Sequence, residues 1–233
     1  MTTPATVLRT AAAPLPGERA ESFNASIHKR VALRYWLWMP DDAARPPWGW
    51  PLVIFLHGSG ERGDDLARVK AHGLPKYAAA GRRFPFVLVA PQIPDGMAWD
   101  SDALEALRAD LVARLPIDTE RVLMTGLSMG GFGTWAYAMD YPDRLAGIVP
   151  VCGIGDSDRV ERIRHLPVWA FHGALDDAVP IASDRGTVEA LRAVGGNVRF
   201  TVYPDVGHNA WDPAYADPEM LDWMLAQRRA SPG

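Results

Sequence analysis

The chain has 233 residues, of which 48% are hydrophobic and 22% charged, as is usual for one globular α/β domain with a sizeable core. The net charge of −4 and the lack of a basic run argue against a nucleic-acid partner, and no apolar run approaches the length of a membrane span. Cys152 is the only cysteine, which excludes a disulfide within the chain and fits a reducing compartment.

Residues 1–17 are rich in Ala, Pro and Thr, and they predict a flexible leader. They lack the continuous apolar run of a signal peptide, so we expect a cytoplasmic protein unless such a signal has been removed. Residues 18–229 contain no repeat, low-complexity tract or linker, and we expect them to form a single domain.

Predicted strands and helices alternate along this domain. Strands are expected at residues 31–39, 51–56, 86–90, 121–125, 146–151, 168–171 and 198–203. Helices are expected at residues 103–115, 132–139, 183–194 and 218–227. Asp102 and Glu105 fit a capping box at the start of the first helix. The alternation indicates parallel βαβ units with right-handed crossovers, which place helices on both faces of a mostly parallel sheet.

Two features of this pattern bear on a ligand site. Residues 51–56 and 86–90 are almost continuously apolar, which is typical of strands buried on both faces. The stretch between residues 151 and 167 is too short to hold a substantial lid domain, so we expect an open site at the edge of the sheet.

The stretch Gly126-Leu127-Ser128-Met129-Gly130 matches the G-x-S-x-G pattern of a nucleophile elbow. A glycine-rich loop matches this pattern by chance, but here a strand-like segment precedes it and a helix-like segment follows it, as the motif requires. The two glycines leave room for an abrupt turn, because they carry no Cβ. Ser128 is therefore the candidate nucleophile.

An acid and a base are expected after later strands, because ligands of open α/β sheets bind at the carboxyl ends of the strands. Asp176 and Asp177 both follow the sixth predicted strand, and their position alone leaves the choice open. His208 follows the last strand, and the chain order serine, aspartate, histidine favours it as the base over a solvated loop histidine. His57 and His172 each precede a glycine at a strand end, and we expect them to hold loops by hydrogen bonds.

These residue types suit acyl transfer. A serine hydroxyl is a weak nucleophile at neutral pH, so a histidine must accept its proton and return it to the leaving group. An aspartate fixes the tautomer of the histidine and stabilises the imidazolium. Such a set needs no metal, and the histidines and carboxylates show no metal-ligand spacing. We therefore expect no metal and no cofactor.

An oxyanion hole needs two donors aimed at the developing negative charge. The N–H of Met129, directly after the nucleophile, is expected to be one. The glycine-rich stretch from Leu56 to Gly63 leaves a buried strand and is expected to supply the other. The N–H of Ser59 is the first candidate, and that of Gly60 is the alternative.

Together these motifs resemble the α/β-hydrolase superfamily over about residues 30–227. The resemblance rests on Leu56-His57-Gly58-Ser59-Gly60-Glu61-Arg62-Gly63, Gly126-Leu127-Ser128-Met129-Gly130-Gly131-Phe132-Gly133, Phe171-His172-Gly173 with Asp176 and Val179-Pro180, and Gly207-His208. More narrowly, the chain looks like the lidless serine esterases called phospholipase/carboxylesterase, dienelactone-hydrolase-like or prolyl-oligopeptidase-type "predicted peptidase". The resemblance implies the α/β-hydrolase fold. Through the family pattern H-G-x-x-D-x-x-V-P it assigns the acid to Asp176, and it assigns an oxyanion donor to Ser59.

Three functions remain open from the sequence. The first is a carboxylesterase that forms an acyl-enzyme at Ser128 with small-molecule esters, which have short or medium acyl chains or aryl groups. The second is a serine peptidase of the prolyl-oligopeptidase type, which usually carries a propeller domain that this chain is too short to hold. The third is a non-catalytic binding protein, which the intact set of Ser128, Asp176 and His208 disfavours. True dienelactone hydrolases carry a cysteine nucleophile, whereas Cys152 here follows a different strand and is expected to be a buried small hydrophobe.

Two aromatic residues are candidates for substrate contact. Trp99 follows a strand end and Trp211 lies three residues past His208, so we expect both to line the acyl or alcohol pocket. The alternative is that they only pack against the protein. Trp135, in the helix after the elbow, is expected in the core.

Overall fold

Seven strands form one sheet at the centre of the computed structural model, which describes residue 25 and residues 28–229. The predicted leader over residues 1–17 lies outside these described residues. The strands are β1 (Arg34–Trp38), β2 (Trp50–Leu56), β3 (Val87–Gln92), β4 (Ile117–Leu127), β5 (Gly147–Val151), β6 (Val168–Gly173) and β7 (Val198–Tyr203). Their order across the sheet is β1-β3-β2-β4-β5-β6-β7. β1 runs antiparallel to β3, and the other neighbouring strands are parallel.

The α-helices cover both faces of this sheet. They are α1 (Gly73–Ala79), α2 (Ser101–Arg114), α3 (Met129–Asp140), α4 (Ile181–Ala193), α5 (Trp211–Ala216) and α6 (Pro218–Ala226). Helices α2, α3 and α4 pack with Leu52, Ile54 and Leu56 of β2, whereas α1, α5 and α6 pack with Val53 and Phe55. Alternate residues of one strand thus pack into two separate hydrophobic cores, which is why the sequence of β2 is continuously apolar. The predicted α/β-hydrolase fold is confirmed.

The core residues and connections agree with this layered arrangement. Trp135 of α3 is fully buried, as predicted. Truncating a side chain of this size in a close-packed core costs about 3–5 kcal/mol. Between β5 and β6 the chain forms only a 3-10 stretch at Ser157–Ile163, so no substantial lid covers the sheet there. Within the described residues, no helix combines the length and the apolar character that crossing a membrane requires.

The predicted capping box at the start of α2 is wrong. The helix begins at Ser101, and its N-cap is Asp100, whose Oδ1 accepts from the N–H of Ala103 at 2.9 Å. Asp102 therefore lies inside the first turn, where a carboxylate still favours the positive end of the helix dipole. Glu105 makes ion pairs with arginines instead of reaching back to the cap.

The parallel strands end at a common edge, and this edge carries the candidate site. Leu56 at the end of β2 is in register with Gly126 near the end of β4. Gly173 at the end of β6 is in register with Tyr203 at the end of β7. The loop after β2 consequently lies beside the elbow, and the loops after β6 and β7 lie beside each other.

Candidate active site

Ser128 sits at the junction of β4 and α3 with φ 52° and ψ −120°. A non-glycine residue with positive φ is strained, by about 1–3 kcal/mol, and persists only where neighbouring structure holds it. Here the N–H of Ser128 donates to the carbonyl of Val151 at 2.9 Å, and its own carbonyl accepts from Phe132 at 3.0 Å. The elbow is therefore held by β5 on one side and by its own helix on the other.

The two glycines of the elbow are required by close backbone contacts, as the sequence predicted. A Cβ on Gly130 would overlap the carbonyl oxygen of Leu56, at the end of β2. A Cβ on Gly126 would overlap the carbonyl oxygen of Gly130. Any side chain at either position would push α3 away from the sheet and displace Ser128.

The structure brings Ser128, His208 and Asp176 together from three separate strand ends. Ser128 Oγ lies 2.9 Å from His208 Nε2, and His208 Nδ1 lies 2.8 Å from Asp176 Oδ2. An ionised carboxylate only accepts, so Nδ1 carries the hydrogen and Nε2 presents its lone pair to the serine hydroxyl. Asp177, the other candidate acid, is exposed at the next position.

Asp176 is held in an ionised, oriented state. It is buried, with 9% of its surface exposed, and its Oδ1 accepts from the N–H groups of Ala178 at 3.0 Å and Val179 at 2.8 Å. Burial raises the pKa of Asp176, but these amides and the His208 ring outweigh burial and leave the pKa below its ordinary value. A carboxylate that stays charged suits the orientation of an imidazole.

The loop over residues 57–63, called the oxyanion loop after the role expected of Ser59, is fixed by side chains. Six consecutive carbonyls each accept a hydrogen bond at 2.6–3.1 Å. The donors are Trp99 Nε1 to His57, His57 Nδ1 to Gly58, Arg62 Nε to Ser59, Arg68 Nη2 to Gly60, Gln92 Nε2 to Glu61, and Arg68 Nη1 to Arg62. The buried carboxylate of Glu61 also accepts from the N–H of Gly58 at 2.9 Å. The peptide planes of the loop are restrained along its whole length.

The expected oxyanion donors, Ser59 and Met129, each occupy the first position of a helical segment. Ser59 opens the 3-10 turn Ser59–Glu61, and Met129 opens α3. First-turn amides have no acceptor within their own helix, so both remain available to a ligand. Gly60 is on the same turn as Ser59, and the choice of Ser59 over Gly60 stays a prediction.

Trp99 and Trp211 are both half-buried at this edge of the sheet. The indole N–H of Trp99 donates to the carbonyl of His57 at 3.1 Å, and its ring packs edge-on against the His57 ring at 4.8 Å. Trp211 packs edge-on against His208 at 5.2 Å and also contacts the ring of His72 at 5.5 Å. Trp99 thus supports the oxyanion loop and Trp211 flanks His208. Their contact with substrate stays a prediction.

The Cys152 thiol lies behind the same site and is buried, as predicted. Its Sγ–H donates to the carbonyl of His208 at 3.2 Å, and burial together with the charge of Asp176 raises its pKa to about 12. Ligand atoms of Cys152, Asp176 and His208 lie within 4.8 Å of one another. A metal would need a thiolate and would displace the hydrogen bonds of Asp176 and His208, so these residues fit a hydrogen-bonded network better than a metal centre.

Three exposed apolar side chains on this edge were not identified from the sequence. Met97 follows β3 and is 55% exposed, Phe132 lies in the first turn of α3 and is 37% exposed, and Leu175 directly precedes Asp176 and is 64% exposed. Each is an isolated apolar residue in a loop or helix start, which no periodic pattern reveals. Only their position in the sequence could have identified them, because each lies within a few residues of a strand end or a candidate site residue.

Comparisons with known proteins show which family this chain resembles. A model of the phospholipase/carboxylesterase family matches residues 95–217, which is more than half of the chain and includes Ser128, Asp176 and His208. A putative carboxymethylenebutenolidase of Methylorubrum extorquens is 31% identical over 152 residues, covering 60% of this chain and 52% of that protein. A probable carboxylesterase of Oryza sativa subsp. japonica is 27% identical over 199 residues, covering 70% of this chain and 83% of that protein.

The solved structure of a thermostable esterase is also similar, with 34% sequence identity and a TM-score of 0.73 over 84% of this chain and 60% of that chain. The chain spans about half the length of the putative carboxymethylenebutenolidases that it matches. The family match extends over the elbow and over the loops after β6 and β7, and it leaves out the loop after β2. The chain therefore belongs to the phospholipase/carboxylesterase family of α/β-hydrolases.

Proposed function

We propose that the protein is a carboxylic ester hydrolase in which Ser128 is the nucleophile, His208 the general base and Asp176 the orienting acid. The observation that supports this most directly is the continuous contact from Ser128 Oγ to His208 Nε2 at 2.9 Å and from His208 Nδ1 to Asp176 Oδ2 at 2.8 Å. The nucleophile is activated by this contact, so the reaction uses no metal and no cofactor.

The reaction proceeds through an acyl-enzyme. Ser128 Oγ bonds to the ester carbonyl carbon while its proton passes to His208 Nε2, which gives a tetrahedral intermediate with a negative oxygen. The intermediate collapses, the bond to the alcohol oxygen breaks, and His208 returns the proton to the leaving alcohol. Water then repeats the two steps on the acyl-enzyme, releases the acid and restores the serine.

The amides of Met129 and Ser59 stabilise the negative oxygen in this proposal. Both open a helical segment, and Ser59 belongs to a loop whose carbonyls are held from His57 to Arg62. A donor that is already oriented needs no reorganisation when charge develops, which is what makes such donors effective. One donor is typically worth about 10²–10³ in turnover.

We infer that the substrates are small-molecule esters with short or medium acyl chains or aryl groups. No substantial lid is inserted between β5 and β6 in the described part of the chain, and Met97, Phe132 and Leu175 present exposed apolar side chains near the strand ends. Trp211 beside His208 adds an aromatic wall in this proposal. The relatives named carboxylesterase and esterase support an ester as the scissile group.

The test is the substitution Ser128→Ala with p-nitrophenyl acetate and p-nitrophenyl butyrate as substrates. Loss of the nucleophile should lower turnover by about 10⁶-fold while leaving the unfolding transition in place. Ser183→Ala, at an exposed position on α4, is the matched control and should retain full activity. Retention of most activity by Ser128→Ala would exclude this assignment.

Two further measurements separate the alternatives. A fluorophosphonate probe should label the folded wild-type protein and not Ser128→Ala, whereas no labelling of the wild type would favour a non-catalytic binding protein. Esters of graded chain length, methyl ferulate and an acetylated sugar should define the acyl and alcohol preference. Turnover of aminoacyl p-nitroanilides as fast as that of esters would favour a peptidase.

A further inference from the structure

A second buried histidine lies directly behind Asp176. His172 is at the carboxyl end of β6 with none of its surface exposed, and Asp184, on α4, is equally buried. His172 Nδ1 lies 2.7 Å from Asp184 Oδ2. Its Nε2 lies 2.9 Å from the carbonyl of Val179 and 3.2 Å from Asp176 Oδ2. Both ring nitrogens therefore face oxygen atoms, and the proposed reaction uses neither of them.

These contacts fix a hydrogen on Nε2. A carbonyl and an ionised carboxylate offer only lone pairs, so a nitrogen that faces Val179 and Asp176 must donate. One more proton lies between Nδ1 and Asp184. If it resides on the ring, His172 is an imidazolium, and if it resides on Asp184, the ring is neutral. Nε2 carries a hydrogen in either state. In the imidazolium Nδ1 donates to the Asp184 carboxylate, and in the neutral ring Nδ1 accepts from protonated Asp184, so the ring hydrogen is on Nε2.

We propose that His172, oriented by Asp184, is a positioning residue for the carboxylate of Asp176. The inference rests on the proposed function, in which Asp176 orients the catalytic base. Nε2–H of His172 approaches the same Oδ2 that accepts from His208 at 2.8 Å. It also holds the carbonyl of Val179, the residue whose N–H donates to Oδ1 of Asp176 at 2.8 Å. Both oxygens of the carboxylate are restrained through one ring.

Asp184 has a second part in this arrangement. A positive ring beside Asp176 would compete with His208 for the carboxylate, and the Asp184 carboxylate opposes that charge from the far side. The titratable groups facing the ring are Asp184 from α4 and Asp176 from the loop after β6, with His208 and Cys152 beyond Asp176. The positioning chain then runs Asp184, His172, Asp176, His208 and Ser128.

Substitution by glutamine and by asparagine separates the two ring nitrogens. In His172→Gln the amide nitrogen takes the place of Nε2 and keeps a donor toward Asp176, whereas in His172→Asn the shorter side chain reaches only the place of Nδ1. With p-nitrophenyl butyrate, we expect His172→Asn to lower kcat about 10- to 100-fold with KM little changed. We expect His172→Gln to stay within about threefold of the wild type.

The pH–rate profile distinguishes positioning from simple support of the fold. In His172→Asn the acid limb of kcat/KM should move to higher pH, because the carboxylate that faces the imidazolium of His208 would lose the Nε2–H of His172, whose nitrogen lies 3.2 Å from its Oδ2. His172→Gln should keep the limb near that of the wild type. Equal losses in the two variants, or a lower kcat with an unmoved acid limb, would overturn the proposal.

A spectroscopic measurement on the wild-type protein does not depend on activity. Long-range ¹H–¹⁵N correlation of the imidazole rings, assigned by through-bond correlation to the backbone of the wild-type protein, should show Nε2 of His172 protonated throughout pH 6–8.5. A bare Nε2 would overturn the proposal even if both variants fail to fold. Absence of ester hydrolysis and of fluorophosphonate labelling, with Nε2 protonated, would instead contradict the proposed function and leave the His172 arrangement standing.

Discussion

Two histidines followed by glycine occupy equivalent places in this sheet, but their surroundings are electrostatically opposite. His57 directly follows β2 and His172 is the last residue but one of β6, and both rings are completely buried. Nε2 of His57 accepts from the N–H of Ile93 at 3.2 Å, while its Nδ1 donates to the carbonyl of Gly58 at 2.6 Å. One donor and one acceptor suit a neutral ring, and burial lowers the pKa of His57 to about 4.

His172 meets acceptors on both sides. Burial lowers its pKa, but the Asp184 carboxylate, the Val179 carbonyl and the Asp176 carboxylate outweigh burial and raise it. The difference comes from the neighbouring element, since a backbone N–H after β3 faces one ring and a carboxylate from α4 faces the other. A two-residue motif therefore specifies where a histidine lies, while its tertiary partners decide how many protons it holds.

The largest expected effect is the loss of stability in His172→Leu. Asp184 Oδ1 has no hydrogen-bond partner among the described residues, so this substitution leaves a fully buried carboxyl group with none at all. Breaking a buried pair on one side costs about 3–5 kcal/mol of the free energy of unfolding. His57→Leu removes one neutral donor and one neutral acceptor, so a smaller loss of about 1–3 kcal/mol is expected. Urea unfolding at pH 7 measures both.

The double variant His172→Leu with Asp184→Leu is the control for the buried charge. Because it removes both polar partners together, it should recover much of the stability that His172→Leu loses. A double variant that is less stable than His172→Leu alone would contradict the assigned pairing. So would equal losses in His172→Leu and His57→Leu.

The next effect is on how stability depends on pH, because the two histidines change the free energy of unfolding in opposite directions as the pH rises. The pKa of His57 is about 4 in the folded protein against an ordinary value of 6.5, so the unfolded chain binds the proton first and stability falls as the pH drops. Between pH 7 and pH 5 this single group accounts for about 2 kcal/mol. The raised pKa of His172 acts in the other direction, since its contribution is complete below its unfolded pKa and is lost as the pH rises through its folded pKa.

Urea unfolding midpoints measured from pH 5 to pH 8.5 test these two pH dependences of stability. In His57→Leu the acid-side loss should shrink by about 2 kcal/mol relative to the wild type, and the alkaline side should be unchanged. In the double variant at His172 and Asp184, the fall in the free energy of unfolding toward high pH should shrink. The fall toward low pH, which comes from His57, should remain. An acid slope that survives in His57→Leu would show that another group carries it.

The strands and the order of the candidate site residues were predictable because they depend on local pattern. Apolar runs located β2 and β3, since strands buried on both faces leave few polar positions. The stretch 117–120 at the start of β4 was missed because it mixes buried and exposed residues, with only Ile117 paired to Trp50 ahead of a register shift. Helix α1 was missed because it is one short segment that begins at a glycine with positive φ and contains Pro75.

The contacts within the site were less predictable, because they join residues far apart in the chain. The sequence predicted that His172 would hold a loop by a hydrogen bond, and its Nε2 contact with Val179 confirms this. It gave no reason to select Asp184, which lies twelve residues later on a helix and reads as an ordinary first-turn acid. Nor did it single out Arg68, whose guanidinium reaches back to two carbonyls of the oxyanion loop.

The smallest expected effect concerns this arginine and extends the comparison from the rings to their loops. His172 and Asp184 are buried, whereas Arg68 is exposed, so Arg68→Met should leave the free energy of unfolding within about 0.5 kcal/mol of the wild type. It frees the carbonyls of Gly60 and Arg62, which loosens the peptide planes beside Ser59, the proposed oxyanion donor, and kcat should fall about three- to tenfold. Steady-state kinetics with p-nitrophenyl butyrate measure this change in kcat. The matched control is Arg164→Met, at an exposed arginine between β5 and β6. A fall in stability without a fall in kcat would contradict the part assigned to Arg68 in holding the oxyanion loop.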